Sequence, residues 1–141
     1  MTLVDTKEGI EMIVDSQAHC VIEYSPELQC IIQTWKGFAG SKNFRASIEK
    51  TIEFARANPV RSVISDTREQ NLVGMEDIKW LTEVGNPQLI EVGIQKLAFI
   101  SPKDQLTRLG ESDYAFRSKQ QFIIQWFSDP EQAKAWIKKK P

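Results

Sequence analysis

The sequence predicts one α/β domain with a mixed, mainly parallel sheet of about five strands and about four helices, because two patterns occur together. Two runs rich in β-branched and aromatic residues flank a proline-containing turn at 25–27, which is typical of an antiparallel hairpin. After this hairpin, short apolar runs alternate with segments of helical periodicity. Strands that alternate with helices usually pair in parallel, so the rest of the sheet is predicted to be parallel.

The length and composition indicate a single globular domain over residues 1–141. Apolar residues make up 41% of the chain and charged residues 26%, which is typical of folded rather than disordered proteins. A net charge of -1 provides no basic stripe for nucleic acid. The chain starts with acidic residues where a signal peptide needs basic ones, and it lacks a long apolar run. We therefore expect a cytoplasmic protein that neither binds nucleic acid nor inserts into a membrane.

The first half of the chain divides into a hairpin and a helix. The hairpin is predicted over 18–37, and the preceding segment 9–15 is either a further short strand or a lead-in. Apolar residues then recur at helical spacing over 41–58. Ser41 is predicted to cap the start of this helix, and Pro59 to end it.

The second half is predicted to continue as strand, helix, strand, helix, strand and helix. Apolar runs predict strands at 60–66, 96–101 and 121–127. A helix from Met75 is expected to be interrupted at 85–87, where the sequence reads Gly-Asn-Pro, and another helix is expected to begin at Pro102. Ser128 and Glu131 are predicted to form a capping box for the last helix, whose buried residues are Ala133, Trp136 and Ile137.

Four segments together resemble a known family. They are TWKGF at 34–38, ISDTR at 64–68, KLAFISPKD at 96–104 and WFSDPEQAKAWIKKK at 126–140. The set is similar to the SpoIIAA-like fold of the STAS and SEC14-like group, especially its small stand-alone bacterial members, and it spans about residues 10–140. The resemblance implies a mixed sheet with successive strand-helix units. It implies no single function, since this group includes phosphorylation-switched regulators, transporter appendages and lipid carriers.

The phosphorylation switch of one branch of that group does not carry over to this sequence. In the anti-sigma antagonists, a serine at the helix start after this strand is phosphorylated, whereas residues 74–77 here read Gly-Met-Glu-Asp. Glu76 and Asp77 already place negative charge at the start of the helix and would repel a phosphate. The loop before Met75 is therefore interpreted as a connection to a helix that satisfies its own N-terminus.

Polar residues at strand ends and helix starts are the candidates for binding an anion or a ligand. Asp66 is predicted to end a parallel strand, where sites of α/β proteins often lie, and it could instead pair with Arg68 or the following backbone. The helix starts at Ser41-Lys42 and beside Lys103 combine free N–H groups with a lysine. Both are also ordinary capping sequences, and no residue is assigned a catalytic role.

The residues that most often build nucleophilic or metal sites are few. His19 is the single histidine. It precedes Cys20, and because neighbouring strand residues point to opposite faces, a direct Cys-His pair is not expected. Cys20 and Cys30 could pair only if they face each other, and without an export signal we expect both to be reduced. No metal or cofactor is predicted.

Trp80 is the candidate for an interaction surface. It lies off the apolar stripe of its helix, so it could be exposed for a partner or packed at the edge of its own domain. The leading hypothesis is a non-catalytic regulatory or interaction module that binds a protein partner or a second copy of itself. The alternatives are a carrier of a small apolar or lipid-like ligand, which requires an apolar cavity near 85–87, and an enzyme that uses Asp66 with Arg68 or Lys103.

Overall fold

A computed structural model describes residues 2–6, 9–71, 73–100, 114–115 and 117–139. Within these residues the chain forms one seven-stranded sheet in which the strands lie in sequence order. The strands are β1 (Leu3–Thr6), β2 (Gly9–Ser16), β3 (Cys20–Ser25), β4 (Cys30–Gly37), β5 (Ser62–Gln70), β6 (Lys96–Ile100) and β7 (Ile123–Phe127).

The sheet has an antiparallel half and a parallel half. Strands β1 to β4 pair antiparallel, and β4 to β7 pair parallel. The mixed α/β class is confirmed, but the predicted five strands and mainly parallel pairing are wrong, because β1 and β2 add an antiparallel hairpin at the start. The lead-in alternative for residues 9–15 is also excluded. Both strands expose apolar side chains, such as Leu3 and Ile10, so periodicity gives only a weak strand signal there.

The helices are α1 (Ser41–Ala57), α2 (Met75–Trp80), α3 (Asn86–Glu91) and α4 (Pro130–Lys138), with a π-helical segment (Leu81–Gly85) between α2 and α3. Since α2, the π-helical segment and α3 form one uninterrupted run, these named elements make three separate helical units, not the four predicted. The helix predicted from Pro102 begins outside the described residues.

The interruption predicted at 85–87 is a change of helix type, not a break. The backbone N–H of Asn86 donates to the carbonyl oxygen of Leu81, five residues earlier, which is the bond of a π-helix. Pro87 follows directly in α3 and has no backbone N–H, so the run lacks one helical hydrogen bond at this position. The run therefore accommodates a Gly-Asn-Pro sequence that normally ends a helix.

Two predicted helix caps are wrong. Gly40, not Ser41, occupies the N-cap of α1, so no side chain caps this helix. Asp129, not Ser128, caps α4, since its side chain accepts a 3.0 Å hydrogen bond from the backbone N–H of Gln132. The hydroxyl of Ser128 instead lies 3.2 Å from Oε1 of Gln132. Each prediction placed the N-cap one residue away from its real position.

Helices cover both faces of the sheet. Right-handed crossovers between parallel strands taken in order place α1 and the α2–α3 run on one face, where the main core lies. The last helix, α4, covers the other face and buries Ala133 and Ile137 there, with Trp136 packed beside them. None of the described helices combines the length and the apolar character needed to cross a membrane.

Candidate functional site

A cavity of about 80 Å³ lies between the sheet and the face formed by α1 and the α2–α3 run. Its floor consists of side chains from the adjacent interior strands β4, β5 and β6: Gln33, Trp35, Val63, Ser65, Leu97 and Phe99. Its roof consists of side chains from the helices and from the segment before β7: Phe44, Ile48, Ile78, Leu81, Leu89 and Tyr114. Gln70 and Val73, which are partly exposed, line it at the end of β5 and the following loop.

Strand alternation explains which residues form the floor. Along β5, Val63, Ser65 and Thr67 line the cavity, whereas Ile64 belongs to the core on the α4 face. The middle of the floor thus consists of small side chains, while the surrounding residues are larger. Four of the described lining residues are aromatic: Trp35, Phe44, Phe99 and Tyr114.

The polar groups on the floor mostly bond within the protein. The side-chain amide of Gln33 donates to Oγ1 of Thr51 at 2.9 Å, and its oxygen accepts from the indole N–H of Trp35 at 3.3 Å. The hydroxyl of Thr67 donates to the carbonyl oxygen of Ile100 at 3.1 Å. These bonds satisfy the groups and hold them against the sheet, which leaves the cavity mainly apolar.

A buried hydrogen-bond network supports the roof. The hydroxyl of Tyr114 donates to Oδ1 of Asn86 at 2.8 Å, and Nδ2 of Asn86 donates to Ser118 and Gln121 at 2.8 and 2.9 Å. Burial raises the pKa of Tyr114, so its hydroxyl stays protonated and remains a donor. Asn86, expected to break a helix, is instead the centre of this network.

Asp66 and Arg68 are brought together, but away from the cavity. Nε and Nη2 of Arg68 lie 3.0 and 2.8 Å from the carboxylate of Asp66, and the backbone N–H of Arg68 donates to it at 3.2 Å. The bond to Asp66 raises the pKa of Arg68. Strand β5 does not end at Asp66 as predicted but continues to Gln70, because the chain stays paired with β4. The bonds between Asp66 and Arg68 correspond to the alternative predicted from the sequence, in which Asp66 pairs with Arg68 or the following backbone.

The start of α1 already has a carboxylate beside it. The hydroxyl of Ser41 donates to Oδ2 of Asp77 at 2.9 Å, and Nε of Arg45 lies 3.1 Å from Oδ1 of the same residue. Asp77 therefore contacts α1 and does not cap its own helix. The N-cap of α2 is Gly74, so no side chain caps α2. Lys42 is exposed and Lys103 lies outside the described residues.

Trp80 is half-buried and packs against the main core. The guanidinium carbon of Arg45 lies 5.2 Å from the centre of its ring, which is a cation–π geometry. Trp80 and Asp77 thus hold the same arginine between α1 and α2. This geometry corresponds to packing within the domain, and a role of Trp80 in binding a partner stays a prediction.

The cysteines lie on opposite faces of the sheet. Cys20 belongs to the main core and pairs with Trp35, whereas Cys30 lies under α4 and pairs with Ser25 at the other end of the hairpin. The two thiols therefore cannot form a disulfide with each other. Burial raises the pKa of each to about 12. The Nε2 atom of His19 lies 2.9 Å from the hydroxyl of Ser47 and 3.1 Å from the carbonyl oxygen of Asn43.

The cavity residues were not singled out from the sequence. A usable signal existed, because Gln33 and Ser65 are polar residues within apolar strand segments, and each had to face something other than packed hydrocarbon.

Within the described residues, no group of His, Cys, Asp or Glu could hold a metal ion. Comparisons with protein-family models and with curated proteins find no match to this chain.

Proposed function

We propose that the protein binds a small, mainly apolar ligand in the cavity between the sheet and the α1–α3 face. The observation that supports this proposal is the cavity. It lies beside the Gly-Asn-Pro segment, and Leu81 and Leu89, which flank that segment in the sequence, both line it. Close-packed interiors rarely contain apolar spaces much larger than a water molecule, and an apolar space of this size beneath the helices has the character of a ligand pocket.

The size of the cavity limits what part of a ligand it holds. Its volume of about 80 Å³ exceeds the space that one water molecule needs. It is smaller than the cavity of about 150 Å³ that holds benzene in an engineered protein. A ring or a short alkyl group therefore fits with small movements of the lining side chains, while a complete lipid chain does not. Any longer part of the ligand extends past Gln70 and Val73.

The lining favours an apolar occupant on energetic grounds. Each CH₂ group removed from water contributes about 0.8 kcal/mol, and aromatic pairs add about 0.5–1.5 kcal/mol. Association entropy opposes these gains, so a ring-sized ligand is expected to bind with a dissociation constant in the micromolar to millimolar range. Trp35 in the floor provides a fluorescent reporter of occupancy.

Native mass spectrometry of the purified protein and titration with toluene test this proposal. We expect either a retained small molecule that is lost on denaturation, or toluene binding seen by ligand-observed NMR. The variant Val73→Trp, which places a large ring at the entrance, should weaken toluene binding at least tenfold. Val84→Trp is the matched control, because Val84 is exposed and does not line the cavity. Absence of both a retained molecule and toluene binding contradicts the proposal.

A second candidate is an interaction module, and a specific observation favours it. Phe38, directly after β4, and Met75, at the start of the Trp80-bearing helix, are 72% and 60% exposed. Exposed aromatic and methionine side chains are enriched at interfaces. Sedimentation equilibrium of the wild type and of Phe38→Ser tests self-association, and a monomer at all concentrations removes that version of the hypothesis.

Membership of the SpoIIAA-like group and a cytoplasmic location also remain proposals.

A further inference from the structure

We infer that the ligand of this cavity is uncharged and carries one hydroxyl or carbonyl group that hydrogen-bonds the side chain of Ser65. The inference rests on the proposed binding function and specifies the ligand class. It depends on the position of Ser65, on the bonding of the other polar side chains that line the cavity, and on the absence of charged side chains from the described part of the lining.

Ser65 lies in the middle of the cavity floor. On β5 it pairs with Gln33 of β4 on one side and with Phe99 of β6 on the other, and all three residues line the cavity. Ser65 is partly exposed although its strand lies in the interior of the sheet, and it borders the cavity. A group bound against the floor therefore meets this hydroxyl.

Among the described residues that line the cavity, Ser65 has the one polar side chain without a bonding partner. Gln33, Thr67 and Tyr114 are bonded as described above, and Gln70 also has an interaction. A ligand that covers this partly exposed hydroxyl without pairing with it removes its hydrogen bonds to water, which costs free energy, and a ligand with a donor or an acceptor avoids that cost. A purely hydrocarbon ligand would leave Ser65 unpaired, whereas an alcohol or a ketone would not.

The described lining residues offer no charged partner to an ionic ligand. None of the described lining residues is Asp, Glu, Lys, Arg or His. An ion buried there would lose its hydration without gaining a partner of opposite charge, which is strongly unfavourable. The four aromatic side chains around the cavity favour a ring over a flexible chain. The chemical class is therefore a small neutral molecule, such as a phenol, with an apolar body and one polar group.

Titration calorimetry with phenol, toluene and benzoate tests this inference, because the three probes share a ring and differ in one group. At neutral pH phenol is uncharged, and wild-type protein should bind it about threefold to tenfold more tightly than toluene. Benzoate should not bind. In Ser65→Ala the preference for phenol should disappear while toluene binding is kept, and Ser65→Thr, which retains a hydroxyl on a β-branched side chain, should restore it.

The outcomes separate this inference from the proposed function. Equal binding of phenol and toluene to the wild type, a preference that persists in Ser65→Ala, or measurable binding of benzoate each overturns the inference and leaves the binding function standing. Failure of both phenol and toluene to bind the wild type overturns the inference, and it overturns the binding function as well when native mass spectrometry finds no retained molecule. The melting temperature of each variant is measured first, so that a lost preference reflects the missing hydroxyl in a folded protein.

Discussion

The hydroxyl of Tyr114 donates a 2.8 Å hydrogen bond to Oδ1 of Asn86, and this contact ties the α2–α3 run to the segment that precedes β7. Asn86 is fully buried, and its side-chain nitrogen bonds Ser118 and Gln121 in that same segment. One side chain thus connects two parts of the chain that are distant in sequence, and Tyr114 belongs to the roof of the cavity. The cavity depends on this network for its shape.

Replacing Asn86 by alanine should be strongly destabilising. The change removes three hydrogen bonds and leaves the buried hydroxyl groups of Tyr114 and Ser118 without this partner, which together should cost about 3 kcal/mol. Tyr114→Phe removes one bond from the same network and should cost about 1 kcal/mol. Urea unfolding measures both free energies. A loss below about 0.5 kcal/mol for Asn86→Ala would mean that water or neighbouring groups replace its bonds.

Replacing Asp129 by alanine should remove the N-cap of α4. Its side chain accepts from the backbone N–H of Gln132, and loss of such a cap costs about 1 kcal/mol. Ser128→Ala is the matched control, since Ser128 bonds only an exposed side chain and should change stability by less than about 0.5 kcal/mol. Thermal melts compare the two, and a larger effect for Ser128→Ala would restore the capping box predicted from the sequence.

The two cysteines should not react with a thiol reagent in the native protein. Both are buried, and burial raises the pKa of each to about 12, so the reactive thiolate is scarce at pH 8. Ellman's reagent should therefore label both cysteines only after denaturant is added, without a reducing agent. One labelled thiol or none in the denatured protein would indicate oxidation. Rapid labelling of the native protein would mean that one strand of the hairpin opens.

Glu23 should make stability depend on pH. Its pKa is raised above the ordinary 4.5, first by burial and then by the neighbouring Glu11, while Lys134 of α4 opposes the shift. The folded protein therefore binds a proton more tightly than the unfolded chain, and the contribution of Glu23 to stability is lost as pH rises from about 4.5 through the raised pKa. At lower pH this contribution is fully present.

The variant Glu23→Gln tests this pH dependence. It should melt at a higher temperature than the wild type at pH 7, and the difference should vanish below pH 4. Glu49→Gln, on the exposed face of α1, is the control and should shift the melting temperature little at either pH. Lys134 makes a 3.2 Å ion pair with the buried Glu11, and that pair remains intact in both variants. An equal shift at pH 4 and pH 7 would contradict the assignment to Glu23.

Local patterns were enough to predict much of the fold. The β3–β4 hairpin was predicted from Pro26 and the flanking β-branched residues, and the end of α1 was predicted from Asn58 before Pro59. The apolar run in β6 gave a strand covered on both faces. These predictions hold because each depends on interactions between residues a few positions apart, which the sequence displays directly.

The candidate site was not predictable in the same way. Whether Asp77 caps its own helix or bonds Ser41 depends on a contact between residues 36 positions apart. Whether the Gly-Asn-Pro segment breaks a helix depends on partners for Asn86 that lie more than 25 residues away. A side chain that has two plausible local partners can be assigned only when the distant partner is known.

The sequence by itself determined the α/β class, the hairpin, the long α1 helix and the alternation of strands and helices, because periodicity and turn residues act locally. The tertiary structure decided the seven-stranded order, the caps, the continuity of the α2–α3 run and the cavity with Ser65 in its floor. A cavity is the space that packed elements fail to fill. Its existence depends on the sizes and positions of side chains from several elements at once, and no single stretch of sequence contains that information.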